Sequence, residues 1–258
     1  MALQTHNLSD TYLMEAHEGG TIIGVNKFGR STNVDSGVDT DIWDRANATD
    51  DQDIWTAPTT ARTHQITSSS ANDTSGGTGA RTIRLYGLTS WSSVEISEDI
   101  TMNGTSNVAT TNSYVIIHRM KVLTKGSSGP NVGNITATAD TDATVTAQIN
   151  VGEGQTQMAI YGVPSGKRAY MSQYYASAIK AVASSSVALK MLVNPESESE
   201  LTGFLTKHTL GVSTDGTNYL RHDFKPYFRI KGPAIIKIQG NASANNTDVS
   251  AGFDILIA

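Results

Sequence analysis

Polar and apolar side chains alternate through most of Gly79 to Met120, and this alternation restricts the fold more than any other feature. Ile83 and Leu85 share one parity; Thr82, Arg84 and Tyr86 share the other. Val94, Ile96, Ile100 and Met102 share a parity broken only by Glu98, against Glu95, Ser97, Asp99 and Thr101. Successive side chains of a strand point to opposite faces, so a period of two means a sheet with one buried and one wet face. Asn103-Gly104 follows, a dipeptide that tolerates positive φ in a tight turn. Tyr114 to Met120 then supplies a third strand. Three strands this close in sequence predict an antiparallel meander.

The rest of the chain has the same character. Its 258 residues suffice for one large β domain or two modest ones. Charged residues make up 17%, below the ~25% of ordinary soluble domains. Ser, Thr, Asn and Gly take their place, as on β-rich surfaces with many turns. The formal charge of -5 argues against a nucleic-acid binder, which needs a basic face to displace counterions. Without cysteine there is neither disulfide nor thiolate metal site. No apolar run is long enough to span a bilayer, and the opening residues lack a signal-peptide pattern, so synthesis in the cytoplasm without export is expected. Seven Asn-x-Ser/Thr matches are read as chance in so Asn- and Thr-rich a chain.

Punctuation suggests three parts. Residues 1–60 carry little periodicity beyond Thr21 to Val25, and hold an Asp-rich run from Asp35 to Asp53 around Trp43 and Trp55. This predicts an extended N-terminal arm, its tryptophans docked on a neighbour. Lys125 to Gly133 is Gly/Ser-rich with Pro130, and is taken as the boundary between a first β module, 61–125, and a second β-sandwich module, 126–258. Asp140-Thr141-Asp142, Pro164-Ser165-Gly166-Lys167 and Asp215-Gly216 read as turns. Arg168 to Val193 has helical alanines, but its β-branched and aromatic residues favour strands. Phe253, Ile255 and Ile257 alternate with Asp254 and Leu256, predicting a final strand docked inside a sheet. A Tyr-Gly strand ending recurs at Tyr86-Gly87 and Tyr161-Gly162, too slight to make a repeat. The expected class is all-β: an antiparallel, jelly-roll-like sandwich of two modules preceded by an arm.

No stretch announces chemistry. Asp39, Asp41 and Asp44, or Asp50, Asp51 and Asp53, offer oxygen ligands, but the Gly and Glu of a calcium loop are missing. The histidines 6, 17, 64, 118, 208 and 222 have no zinc spacing. His118 reads as a strand residue with a cross-strand hydrogen bond. His222-Asp223 looks like a catalytic pair but has no nucleophile elbow to serve. Gly166-Lys167-Arg168 fails the phosphate-loop pattern. Arg221, Lys225, Arg229, Lys231 and Lys237 form a basic cluster that suits solvent or an acidic neighbour better than a nucleic-acid groove. Tyr170, Tyr174, Tyr175, Trp91 and Tyr219 suit a core, an interface or a sugar site.

Several segments together resemble one family. They are GTGARTIRLYGL, ITMNGT, YVIIHRMKVLTKGSSGPNVGNITAT, GEGQTQMAIYGVPSGK and the ending NNTDVSAGFDILIA. From about Arg62 to Ala258 the chain is similar to virion structural proteins of tailed bacteriophages. The resemblance implies a non-enzymatic particle component without cofactor. Its partners would be the major capsid protein or other virion proteins, with no nucleic acid and no membrane. Made in the bacterial cytoplasm, it would reside in the virion. The favoured role is a capsid decoration (cement) protein, as a homo-oligomer and most simply a trimer. Its contacts would be Trp43, Trp55, Asp39, Asp41 and Asp44 on the arm, with Arg221, Lys225, Arg229 and Lys231 as a basic contact. A collar, tail or fibre-base protein is the alternative, and a carbohydrate-binding sandwich a third reading.

Overall fold

A computed structural model of the chain describes residues 19–20, 22–45, 54–180, 184–195, 203–216 and 218–258. The Asp50–Asp53 run, His6, His17 and the acidic stretch from Glu196 to Glu200 lie outside them. The described residues are all-β and contain no helix. In order, the strands are β1 (Ile23–Val34), β2 (Thr40–Asp41), β3 (His64–Ser68), β4 (Ala80–Leu88), β5 (Ile96–Thr101), β6 (Val108–Ala109), β7 (Ile116–Lys125) and β8 (Ile135–Ala139). They continue with β9 (Val145–Ile149), β10 (Ile160–Val163), β11 (Arg168–Ile179), β12 (Ser186–Asn194), β13 (Leu205–Ser213), β14 (Tyr219–Lys231), β15 (Ala234–Ala242) and β16 (Thr247–Ile257).

Four antiparallel sheets result, ordered β1-β16-β11-β14, β10-β15-β12-β13 with β2 added on β15, β6-β3-β8-β9, and β5-β4-β7. The first two enclose one core, including Met171, Tyr174, Leu189, Ile236, Phe253 and Ile255. The last two enclose another, including Ile66, Ile83, Leu85, Ile116, Ile135 and Ile149. Strands β10 and β15 serve both. Tyr161, Ile236 and Ile238 point into the first core, while Ile160 and Ile235 point into the second. Hence both strands are buried on both faces and read as apolar runs rather than alternations.

The arm expected over residues 1–60 is not what the described part forms. Ile23–Val34 is a sheet strand paired along β16, from Ile23↔Ile257 to Val34↔Thr247. Its alternation is masked in the sequence because three inward positions, Lys27, Gly29 and Ser31, are polar or small. Gly29 lets β1 pass close to its neighbours: a Cβ there would lie 2.1 Å from the Ile42 carbonyl oxygen and 2.5 Å from the Ala159 nitrogen. The boundary at 126 also falls inside a core. Ile135 and Ile149 pack with Ile83 and Ile116 despite the Gly/Ser-rich loop between them. The sandwich of β3 to β9 is therefore inserted between β2 and β10 of the other.

The meander expected from Gly79 to Met120 is corrected as well. β4 and β5 form a hairpin, but β7 returns to the far edge of β4. Gly104 does take positive φ, at 62°, yet its turn leads to β6, which pairs with β3 in the opposite sheet. The other turns are where the sequence puts them. Gly166 has φ 76° and the Lys167 N–H donates to the Pro164 carbonyl at 3.2 Å. Arg168–Ile179 and Ser186–Asn194 are strands, as expected, and β16 lies between β1 and β11 with Phe253, Ile255 and Ile257 buried.

Candidate interaction surface

β14 is the edge of its sheet, and its odd-numbered residues face outward. Arg221, Lys225, Arg229 and Lys231 are all exposed on that side, so the fold aligns four of the five clustered basic residues. Asp223 stands among them and pairs with Arg221 at 3.1 Å. Lys237, the fifth, is on buried β15 and only 3% exposed. The ladder between β11 and β14 is broken: Gln173 pairs with Asp223 and Met171 with Phe228. Phe224, Lys225, Pro226 and Tyr227 thus stand opposite Ser172 alone, a bulge with a cis Lys225–Pro226 bond. Bulges on edge strands end pairing and re-aim side chains. Here the bulge presents Lys225 and the exposed Tyr227.

The same outer face continues across the sheet. Tyr170 is paired with Arg229, Tyr175 with Arg221 and Ser177 with Tyr219. The Tyr175 ring lies over Gly252, where a Cβ would meet its hydroxyl oxygen at 2.5 Å. Asp254, next along β16, accepts from Asn26 and Gln173, and Asn26 also donates to the Tyr175 hydroxyl at 3.2 Å. The result is a tyrosine- and arginine-rich surface. Those residue types are enriched where proteins bind one another, because they offer large rigid contact area with a polar tip.

Behind this edge the sandwich is incompletely closed. β13 ends the facing sheet, and its inward residues His208 and Leu210 are only half-buried, like Leu220, His222, Phe224 and Phe228 of β14. The His208 and His222 rings stack 4.1 Å apart, and the Tyr174 hydroxyl bonds His208 Nδ1 at 2.8 Å. Partial burial, and then His222, hold the His208 pKa below the usual histidine value. His222 and Asp223 form no dyad, because neighbours on a strand point to opposite faces. The sequence signal for this cluster is parity: His208 alternates with Leu210 and Val212, and His222 with Leu220 and Phe224.

The residues expected on a contact arm are elsewhere. Trp43 and Trp55 are each 2% exposed and belong to the second core. The Trp55 indole N–H donates to the Thr146 carbonyl at 2.8 Å. Trp43 bridges Met158. Asp39 reaches Lys190 at 2.6 Å and accepts from Asn241. Asp41 is fully buried and accepts from Lys237 Nζ at 2.8 Å and from the Trp55 backbone N–H at 2.7 Å. Burial pushes the Asp41 carboxyl up against the pull of Lys237. Asp44 accepts the Gln157 N–H at 3.2 Å, while burial pushes its pKa up to about 7. The three carboxylates go to three separate partners. Among the described residues no group of three or more His, Asp or Glu could hold a metal ion.

A second buried polar group joins the two sandwiches. Lys27 of β1 donates to the His118 carbonyl, and burial, then Arg119, pushes its pKa down to about 7. His118 Nε2 meets Glu95 Oε2 at 2.7 Å; Glu95 lies just before β5 and not on β4, the strand paired with β7, so this is not the cross-strand bond expected of His118. Burial raises the Glu95 pKa, but the His118 hydrogen bond and charge outweigh this and hold it low. A cleft of about 260 Å³ lies alongside, lined by Lys27, Phe28, Arg119 and Gln155. Nothing around Lys27 in the chain signals its burial, flanked as it is by Asn26 and Phe28 on what reads as a polar strand.

No protein-family model matches the chain, and no curated protein matches it as a relative. No helix among the described residues is long and apolar enough to cross a membrane.

Proposed function

We propose that this chain is a structural component of a tailed-phage virion that decorates the outer head and strengthens it by non-covalent contacts between capsid subunits. The carrying observation is the bulged, basic β14 edge with its tyrosine-rich face, backed by apolar side chains that its own sandwich half covers. The face would bind acidic, partly apolar surface on the major capsid protein or on a second copy of this chain, with a trimer as the working assembly. A component that binds the assembled shell and not dispersed subunits stabilises the shell by mass action. The arm is not part of this reading, because Trp43, Trp55 and Asp41 are committed inside the chain.

The test uses purified particles and the triple variant Arg221→Glu, Lys225→Glu, Arg229→Glu. These side chains are exposed, so the variant should keep the parent's circular dichroism and thermal midpoint. It should lose binding to shells stripped of this protein, and parent binding should weaken with salt. Quantified virion protein should give hundreds of copies per particle. A few to tens would favour the collar or tail reading, and unchanged binding by the variant would remove β14 from the contact. The tyrosine face also gives the carbohydrate reading a specific form. Glycan binding by the isolated protein, lost in Tyr175→Ala, would favour it.

A further inference from the structure

We propose that Lys237 and Asp41 join in an intramolecular isopeptide bond that locks β2 to β15. Lys237 is 3% exposed and Asp41 fully buried. Their Nζ and Oδ2 atoms are 2.8 Å apart, so the carboxyl carbon Cγ is one bond beyond the amine's contact. The two sit on paired strands, with Asp41 opposite Gln239. Oδ2 also accepts the Trp55 N–H at 2.7 Å. Oδ1 makes no well-formed hydrogen bond, the Gln239 amide acting on the carboxylate only loosely.

A buried ion pair is expensive to desolvate, and a bare carboxylate oxygen adds to that cost. In so dry a site, passing one proton from the ammonium to the carboxylate, where it rests on Oδ1, gives a neutral amine beside a neutral acid. These are the forms that condense. The amine lone pair adds to Cγ, and the negative charge developing on Oδ2 is held by the Trp55 N–H already aimed at it. A second hydrogen moves from nitrogen to Oδ1, the Cγ–Oδ1 bond breaks, and Oδ1 leaves as water. One C–N bond replaces one C–O bond, with no change of oxidation state and no co-reactant. The product amide keeps Oδ2 as a carbonyl accepting from Trp55, removes both buried charges and disposes of the unpartnered oxygen. The residues joined are 196 apart in sequence, so the link encloses the entire inserted sandwich.

Intact mass spectrometry of the denatured full chain tests this. After prolonged incubation folded at neutral pH, the parent should be lighter than its encoded mass by one water. A tryptic digest should contain the peptide 31–45 joined through Asp41 to a peptide left uncleaved after Lys237. Lys237→Arg, which keeps the charge but not the primary amine, should have its encoded mass and separate peptides. A parent at full encoded mass would overturn the proposal. So would a one-water loss that persists in Lys237→Arg, or one mapped to another residue.

Discussion

Trp55 decides whether the stretch before β3 serves this chain or a neighbour, and its replacement by Phe and by Ala measures that directly. The indole is 2% exposed, packed in the core between the β3 and β4 sheets, and its N–H satisfies the Thr146 carbonyl. A buried tryptophan removes on the order of 200 Å² from water, worth about 5 kcal/mol at ~25 cal/mol per Å² as an upper estimate. Truncation series for buried aromatic residues give about 3–5 kcal/mol. The orphaned carbonyl adds about 1–3 kcal/mol. Trp55→Ala should therefore cost roughly 4–8 kcal/mol, a large share of a total stability of about 5–15 kcal/mol. Trp55→Phe keeps most of the area and loses the hydrogen bond, costing about 2–3 kcal/mol, or roughly 4–12 °C in midpoint at this size. Urea unfolding followed by circular dichroism at several protein concentrations reads both. A cost below about 1 kcal/mol for Trp55→Phe, or one that grows on dilution, would show that the indole packs elsewhere or against another molecule.

Three further outcomes follow from the buried groups. Lys27 has its pKa lowered from 10.5 to about 7, so between those values the unfolded chain holds a proton that the folded chain has lost. Its contribution makes stability rise with pH across that window, by on the order of 5 kcal/mol, and Lys27→Met should flatten the rise in urea midpoints from pH 7 to 10. Asp44 is the reverse case. With its pKa raised from 3.8 to about 7, the folded chain holds the extra proton, so its contribution makes stability fall between those values, and Asp44→Asn should remove that fall. Gly29→Ala meets backbone atoms at 2.1 and 2.5 Å, so it should displace β1 and cost more than ~2 kcal/mol, seen as faster hydrogen exchange along the β1–β16 ladder. Wild-type exchange rates in the variant would remove the close-approach argument.

The sequence by itself determined the class of structure and many of its joints. Period-two alternation around Ile83 and Phe253 needs only local geometry, and turn residues such as Gly166 act within a few bonds. Sheet membership was another matter, because antiparallel partners are chosen by burial across long separations. β1 lies with β16 because its few inward apolar positions complete that core, and β7 takes the far edge of β4 because β6 has crossed to the opposite sheet. Local composition misled where it stood in for burial. An Asp- and Trp-rich stretch reads as an arm until Asp41 and Trp55 are placed inside, and Lys237 reads as surface although isoleucines flank it. Only the tertiary structure could set four cations along one edge of β14 and bring Asp41 to Lys237, since the nearness of residues so distant along the chain arises from packing and is written in no local pattern.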